Sequence, residues 1–208
     1  MAEQRTVNPW VVGSNPTSPA MKIIDNFISV KEQDELLDHV GSNQFVWRLH
    51  PTNIGQVDRP WAHAPTQLTH HLFMHDQKAS SPHLKIIRPL FDAIVRECGD
   101  ITLFRAKVNL TSPCPPYNSY EPHTPHVDLG YDDGTKIDHM VCIYYINESD
   151  GPTMFFDKNW NEEDVVYPKK GRAIIFDGDT FHAGSSPVQS PFRMVMNIDF
   201  RQGVGQIP

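Results

Sequence analysis

From Ile101 onward, no part of this 208-residue chain keeps a helical period. Short apolar runs follow one another, each broken by turn-forming residues. The 18 prolines and 12 glycines are spread along the chain rather than clustered, as frequent tight connections require. The pattern predicts strands at 102–110, 122–128, 138–147, 153–157, 164–168, 172–177, 180–185 and 192–200. Eight short strands preceded by two helices imply an α+β fold that is mainly β. The expected architecture is a double-stranded β-helix, or jelly roll, backed on one sheet by N-terminal helices. One domain is expected over residues 21–208, with the β-helix at about 101–201. That length buries a full core without a covalent staple.

The N-terminal part supplies the helices. Residues 1–20 are polar with three prolines and are expected as a surface arm, with Trp10-Val-Val12 as a short anchor. Residues 21–27 form a first strand. Ser29-Val-Lys-Glu32 is a capping-box pattern that opens a helix through Val40, stopped by Gly41. Its buried stripe is Leu36, Leu37 and Val40. Phe45 to Leu49 suits a strand. A second helix is expected from Ser81-Pro82, with Pro at its first position, to Cys98-Gly99. Leu84, Ile87, Phe91, Ile94 and Val95 recur along it at helical spacing. Residues 51–80 show no period and are expected as a long loop covering substrate.

The strand-rich half carries one constellation of metal-ligating residues. His126 and Asp128 stand two apart, so in an extended segment both side chains point to one face and reach one ion. The third ligand must then come from a distant strand, and His182 lies on one, 54 residues after Asp128. Two imidazoles and one carboxylate hold Fe(II) on one face and leave the other face open. Arg193 opens the last strand and offers a planar fork of donors suited to a carboxylate. Any one of these features alone reads more readily as a turn, a surface pair or a satisfied core residue. Their conjunction in an all-β half points to a metal site with an anion clamp. The other histidines are weaker candidates. His123 reads as a loop residue rather than a ligand, and His70, His71 and His75 as loop surface. Asp177 and Asp179 shape the turn before His182.

Bulk properties narrow the classes further. The formal net charge of −7 argues against a general phosphate-backbone binder, so a nucleic-acid partner is not expected. No apolar run reaches membrane-spanning length. The first 19 residues lack a signal-peptide core. Three scattered cysteines make no disulfide framework. A reducing, cytoplasmic setting is expected.

At this point the chain resembles a known family. Tyr117 to Arg201 is similar to the catalytic core of the 2-oxoglutarate/Fe(II)-dependent oxygenases, in the prolyl-4-hydroxylase-like branch. The H-x-D…H triad and the basic residue after the last histidine match. Cys142-Ile-Tyr-Tyr-Ile-Asn147 resembles the third core strand of hypoxia-type prolyl hydroxylases. Gly151-Pro-Thr-Met-Phe155 resembles their G-G-x-L turn, with Pro152 in place of the second glycine. Pro168-Lys-Lys-Gly171 and the opening Lys22-Ile-Ile-Asp-Asn-Phe27 also resemble this branch.

The resemblance implies roles. His126, Asp128 and His182 would bind Fe(II). Arg193 would pair with the distal carboxylate of 2-oxoglutarate, and the hydroxyl of Tyr145 would share it. Tyr144 would face the helices. Asn109 would hydrogen-bond 2-oxoglutarate, while Asn197, four residues after Arg193 on the same strand face, would line the pocket near the metal. Such a buried asparagine needs a partner. The implied activity consumes O2 and 2-oxoglutarate, releases succinate and CO2, and hydroxylates an unactivated C–H bond, with ascorbate as an optional addition. The prime substrate would be a peptide, a protein or a small molecule, with peptidyl proline the first guess from the branch. The alternative is a cupin-like metal-binding protein or isomerase without oxygenase activity, which would not need Arg193.

Overall fold

The computed structural model describes residues 21–50, 67–75, 79–114, 121–130 and 136–203. The expected arm at 1–20, Tyr117 and most of the loop from Gly130 to Lys136 lie outside them. The strands are β1 (Lys22–Ile24), β2 (Arg48–His50), β3 (Gln67–Met74), β4 (Ala79–Ser80), β5 (Ile101–Thr111), β6 (Met140–Tyr145), β7 (Thr153–Phe156), β8 (Glu162–Val166), β9 (Ala173–Asp177), β10 (Phe181–Gly184) and β11 (Arg193–Gln202). The helices are α1 (Val30–Val40) and α2 (Arg88–Cys98), the latter preceded by a 3-10 turn at Leu84–Ile87.

Two antiparallel sheets result. The major one runs β1-β9-β6-β11-β5-β3-β2, with β4 on β3, and the minor one runs β10-β7-β8. Chain neighbours such as β9 and β10 lie in different sheets, which is the jelly-roll arrangement. The period of two along each central strand sorts side chains into two cores. On β11, Met194, Met196, Ile198 and Phe200 join residues of both helices in one buried cluster. The opposite face gives a cluster between the sheets, with Val141, Ile143 and Tyr145 of β6, Ile174 and Phe176 of β9, and Phe155 of β7. Tyr144 faces the helix side, as expected. The inner face is apolar on β9 and β6. On β11 and β5 it turns polar, and there the pocket opens.

Local signals explain most boundaries. The Ser29 side chain accepts from the Glu32 amide at 3.3 Å, while Glu32 accepts from the Ser29 amide at 2.9 Å, closing the capping box of α1. The edge strand β8 carries exposed Glu162, Glu163 and Asp164, charges that discourage further strand pairing.

Three expectations need correction. The second helix starts at Arg88 and not at Ser81-Pro82; Pro89 takes the early-helix role, and the preceding turn is 3-10. Residues 122–128 are not a strand: they touch β10 only through isolated bridges, Pro122 to Ser185 and His126 to His182. The stretch 51–80 is not all loop, because β3 pairs with β5 inside the major sheet. A bulge between His71 and Phe73 breaks the β3 alternation that would have signalled a strand. His70 is accordingly not loop surface. Its ring bonds the Val46 carbonyl at 2.6 Å and the Ser81 hydroxyl at 2.8 Å.

Candidate metal centre

The bridge between His126 and His182 brings the triad together. The two backbones exchange hydrogen bonds, His126 N–H to His182 O and His182 N–H to His126 O, each 3.0 Å. Each imidazole also gives its Nδ1 to a nearby carbonyl, Thr124 for His126 and Thr180 for His182, at 3.0 Å. Donation from Nδ1 fixes the tautomer and leaves both Nε2 lone pairs facing inward, the usual support for a metal-binding histidine. His182 Nε2 lies 3.3 Å from Asp128 Oδ2, and His126 Nε2 lies 4.0 Å from Asp128 Oδ1. The three ligand atoms fall within 4.8 Å of one another.

Three observations fit a divalent ion. Asp128 Oδ2 and His182 Nε2 are buried and have no hydrogen-bond partner among the described residues. Such orphans are costly unless something else binds them. Burial, and then His182, lowers the His126 pKa to about 4, so its ring stays neutral and able to ligate. Asp128 is buried too, which opposes ionisation, but Arg105 and the histidines hold its carboxyl well below the usual range. Two neutral nitrogens and one anionic oxygen on one side of a site suit Fe(II). His123 lies in the pocket but bonds Ser186 at 3.1 Å and is not one of the three ligands.

The pocket runs from His126 and His182 to Arg193, past Asn109, Thr111 and Asn197. Arg193 is buried, with its Nε donating to the Gly151 carbonyl and Nη2 to the Thr153 hydroxyl, both at 2.8 Å. Tyr145 donates to the same Thr153 oxygen at 2.7 Å. Its ring lies under the Arg193 guanidinium, 5.7 Å from centroid to Cζ. Arg193, Tyr145 and Thr153 therefore meet at one point. Gly184 makes room: a Cβ there would stand 3.1 Å from Arg193 Nη1. Asn109 and Asn197, singled out separately in the sequence, face each other, with Nδ2 of Asn109 3.5 Å from Oδ1 of Asn197.

Sequence reasoning missed the charged half of β5. Arg105 donates through Nη2 to Asp128 and through Nε to Asp199 at 2.5 Å. Asp199 is fully buried on β11. Burial and the neighbouring Asp128 raise its pKa to about 6. Lys107, Asn109 and Thr111 continue the row along the pocket. The alternation Arg-Ala-Lys-Val-Asn-Leu-Thr from 105 to 111 was the available signal: polar residues at every second position face a polar interior.

Two histidines and one carboxylate beside an open pocket on a jelly roll form a cluster that could hold one divalent ion from a single side. Comparison with known proteins is narrower. Residues 116–201, which hold the triad and Arg193, match the model of the 2OG-Fe(II) oxygenase superfamily. Solved structures agree in fold. A Pseudomonas putida prolyl-4-hydroxylase superposes with a TM-score of 0.54 at 16% identity, covering 88% of this chain and 94% of that one. A Trichoplax adhaerens prolyl hydroxylase, solved with a hypoxia inducible factor peptide fragment, gives 0.58 at 16% identity over 88% and 83%. The alpha ketoglutarate dependent epimerase SnoN gives 0.56 at 10% identity over 89% and 79%. No curated protein matches the chain. No helix among the described residues is long and apolar enough to cross a membrane.

Proposed function

We propose that the chain is an Fe(II)- and 2-oxoglutarate-dependent dioxygenase that hydroxylates an unactivated C–H bond of a peptidyl or small-molecule substrate. The observation that carries this reading is that His126 and His182, which cluster with Asp128, share one pocket with the buried Arg193. His126, Asp128 and His182 would hold the iron. Arg193 would take the distal carboxylate of 2-oxoglutarate in a charge-assisted bond, with Tyr145 and Thr153 as its polar neighbours. Asn109 and Asn197 would orient the middle of the co-substrate. The bound iron, O2 and 2-oxoglutarate supply the oxidising chemistry, ending in succinate, CO2 and a hydroxylated product. The chain's part is to orient these groups and keep water out.

The prolyl hydroxylases among the similar structures support peptidyl proline as one substrate to try. SnoN supports testing reaction outcome as well as substrate, since a similar fold there carries an epimerase. The cupin-like alternative gives no purpose to a buried arginine that shares a pocket with His126 and His182.

The test is conversion of carbon-labelled 2-oxoglutarate to succinate, followed by NMR with Fe(II) and air. We expect slow succinate formation without added substrate, abolished in His182→Ala and Asp128→Ala. Metal-loaded protein that forms no succinate with any proline-containing peptide or amino acid tried would count against the reading.

A further inference from the structure

Among the described residues, the pocket holds one more basic side chain than the proposed reaction uses. Lys107 sits on β5, paired in register with Asn197 on one side and His71 on the other. It lines the pocket beside His126. It makes no hydrogen bond or ion pair among the described residues, feeling its charged neighbours only at a distance. Burial, and then Arg105, lower its pKa, while Asp128 and Asp199 act the other way.

The charges of the described residues in the pocket and in the Arg105 network behind it can be matched one against another. Asp128 and Asp199 contribute two negative charges and 2-oxoglutarate two more. A divalent ion, Arg105 and Arg193 contribute four positive ones. No other described lining residue is a lysine, arginine, aspartate or glutamate, and the pKa of His71, paired with Lys107 in register, is lowered to about 4, mainly by burial. Lys107 alone is left over. Its place matters as well. Arg105 touches Asp128, so the triad lies at the level of residues 105–107, whereas Arg193 is paired with Thr111. Four strand residues separate the two cations, about 13 Å along the backbone. Lys107 therefore stands on the strand at the metal end, four residues from the position paired with Arg193.

We propose that Lys107 is a second anion seat, which binds the carboxylate of a small prime substrate, such as a free amino or imino acid, next to the metal. This rests on the oxygenase reading above. It favours free acids over internal residues of a polypeptide, which bring no carboxylate to that position. An uncompensated charge in a half-buried pocket is a strong selector, because the wrong ligand leaves it unpaired.

The test uses the full chain loaded with Zn(II) and 2-oxoglutarate. Binding of the proteinogenic L-amino acids and their primary amides is measured by ligand-observed NMR, with an amidated proline peptide alongside. We expect at least one acid to bind about ten-fold more tightly than its own amide. Lys107→Met should erase that preference and leave the affinity for 2-oxoglutarate within about two-fold. The proposal is overturned if no acid is preferred over its amide, if only the amidated peptide binds, or if the preference survives Lys107→Met. It is also overturned if Lys107→Met mainly weakens 2-oxoglutarate, which would assign the lysine to the co-substrate. A parallel anaerobic Fe(II) sample reports the iron–keto-acid absorption band. Band present with no acid preference defeats this proposal alone, whereas absence of the band defeats the oxygenase reading beneath it.

Discussion

Arg105 is the residue on which the metal end depends. It bridges Asp128 and Asp199, two carboxylates that would otherwise face each other in the interior. Removing one partner of such a buried network leaves charge without compensation, at a cost of about 3–5 kcal/mol. Arg105→Met should lose stability of that order in urea unfolding and bind metal more weakly. Adding Asp199→Asn should recover part of the stability but not the metal affinity, because Asp128 would still lack its anchor. The pH dependence follows from the same residue. Burial and Asp128 place the Asp199 pKa near 6 in the folded metal-free protein, against 3.8 in an unreacted side chain. Between those values the folded state holds a proton that the unfolded state has released, so this group adds stability as pH falls through 6 and nothing more below about 4. Compared with Asp199→Asn across pH 8 to 4, the wild type should gain relative stability on acidification. A relative loss would mean that Asp199 is ionised throughout.

At the scale of elements, β5 and β11 build both the core and the pocket from opposite faces. Their register pairs Arg193 with Thr111 and Asn197 with Lys107, which sets the pocket's length. The minor-sheet strand β10 contributes His182 and, two residues later, Gly184, which clears space for Arg193. Gly184→Ala should therefore press on a guanidinium pinned by Gly151 and Thr153. We expect the dissociation constant for 2-oxoglutarate to rise about ten-fold with metal affinity unchanged, read by calorimetry on the Zn(II) form. Equal affinity for 2-oxoglutarate would show that Arg193 does not contact it.

The elements also show what the sequence made legible. The capping box at Ser29 and Glu32, the core strands from β5 to β11 and the spacing of the triad carry local signals, because period and cap chemistry are local. β3 was hidden because its bulge breaks the alternation and because its polar residues find tertiary partners, Gln67 lining the pocket and His70 bonding Val46 and Ser81. The start of α2 was misplaced because two prolines, Pro82 and Pro89, both suit an early helical position, and only tertiary packing of Ile87 and Leu90 selects the second. The bridge segment around His126 was read as a strand because it is extended, although it pairs at single residues. Lys107 and Arg105 were missed because a lysine or arginine in a strand ordinarily reads as its solvent face. Nothing local says that this face looks into a pocket.

For the molecule as a whole, the two sheets enclose polar atoms, Asp128 Oδ2 and His182 Nε2 among them, that an ion would satisfy. Orphaned ligand atoms make metal binding a folding term: an ion that binds only the folded form adds about 2.7 kcal/mol at a hundred times its dissociation constant. Zn(II) should raise the unfolding midpoint of the wild type and leave that of His182→Ala almost unmoved. 2-Oxoglutarate should add to this only when metal is present. The most direct test of the central claim is an anaerobic titration of the protein with Fe(II) and 2-oxoglutarate, followed by visible absorption. A weak charge-transfer band that appears only with both components, vanishes in His182→Ala and needs more 2-oxoglutarate in Arg193→Ala is the predicted result. Tight iron binding with no band on adding 2-oxoglutarate would contradict the account and leave a metal-binding jelly roll of another kind.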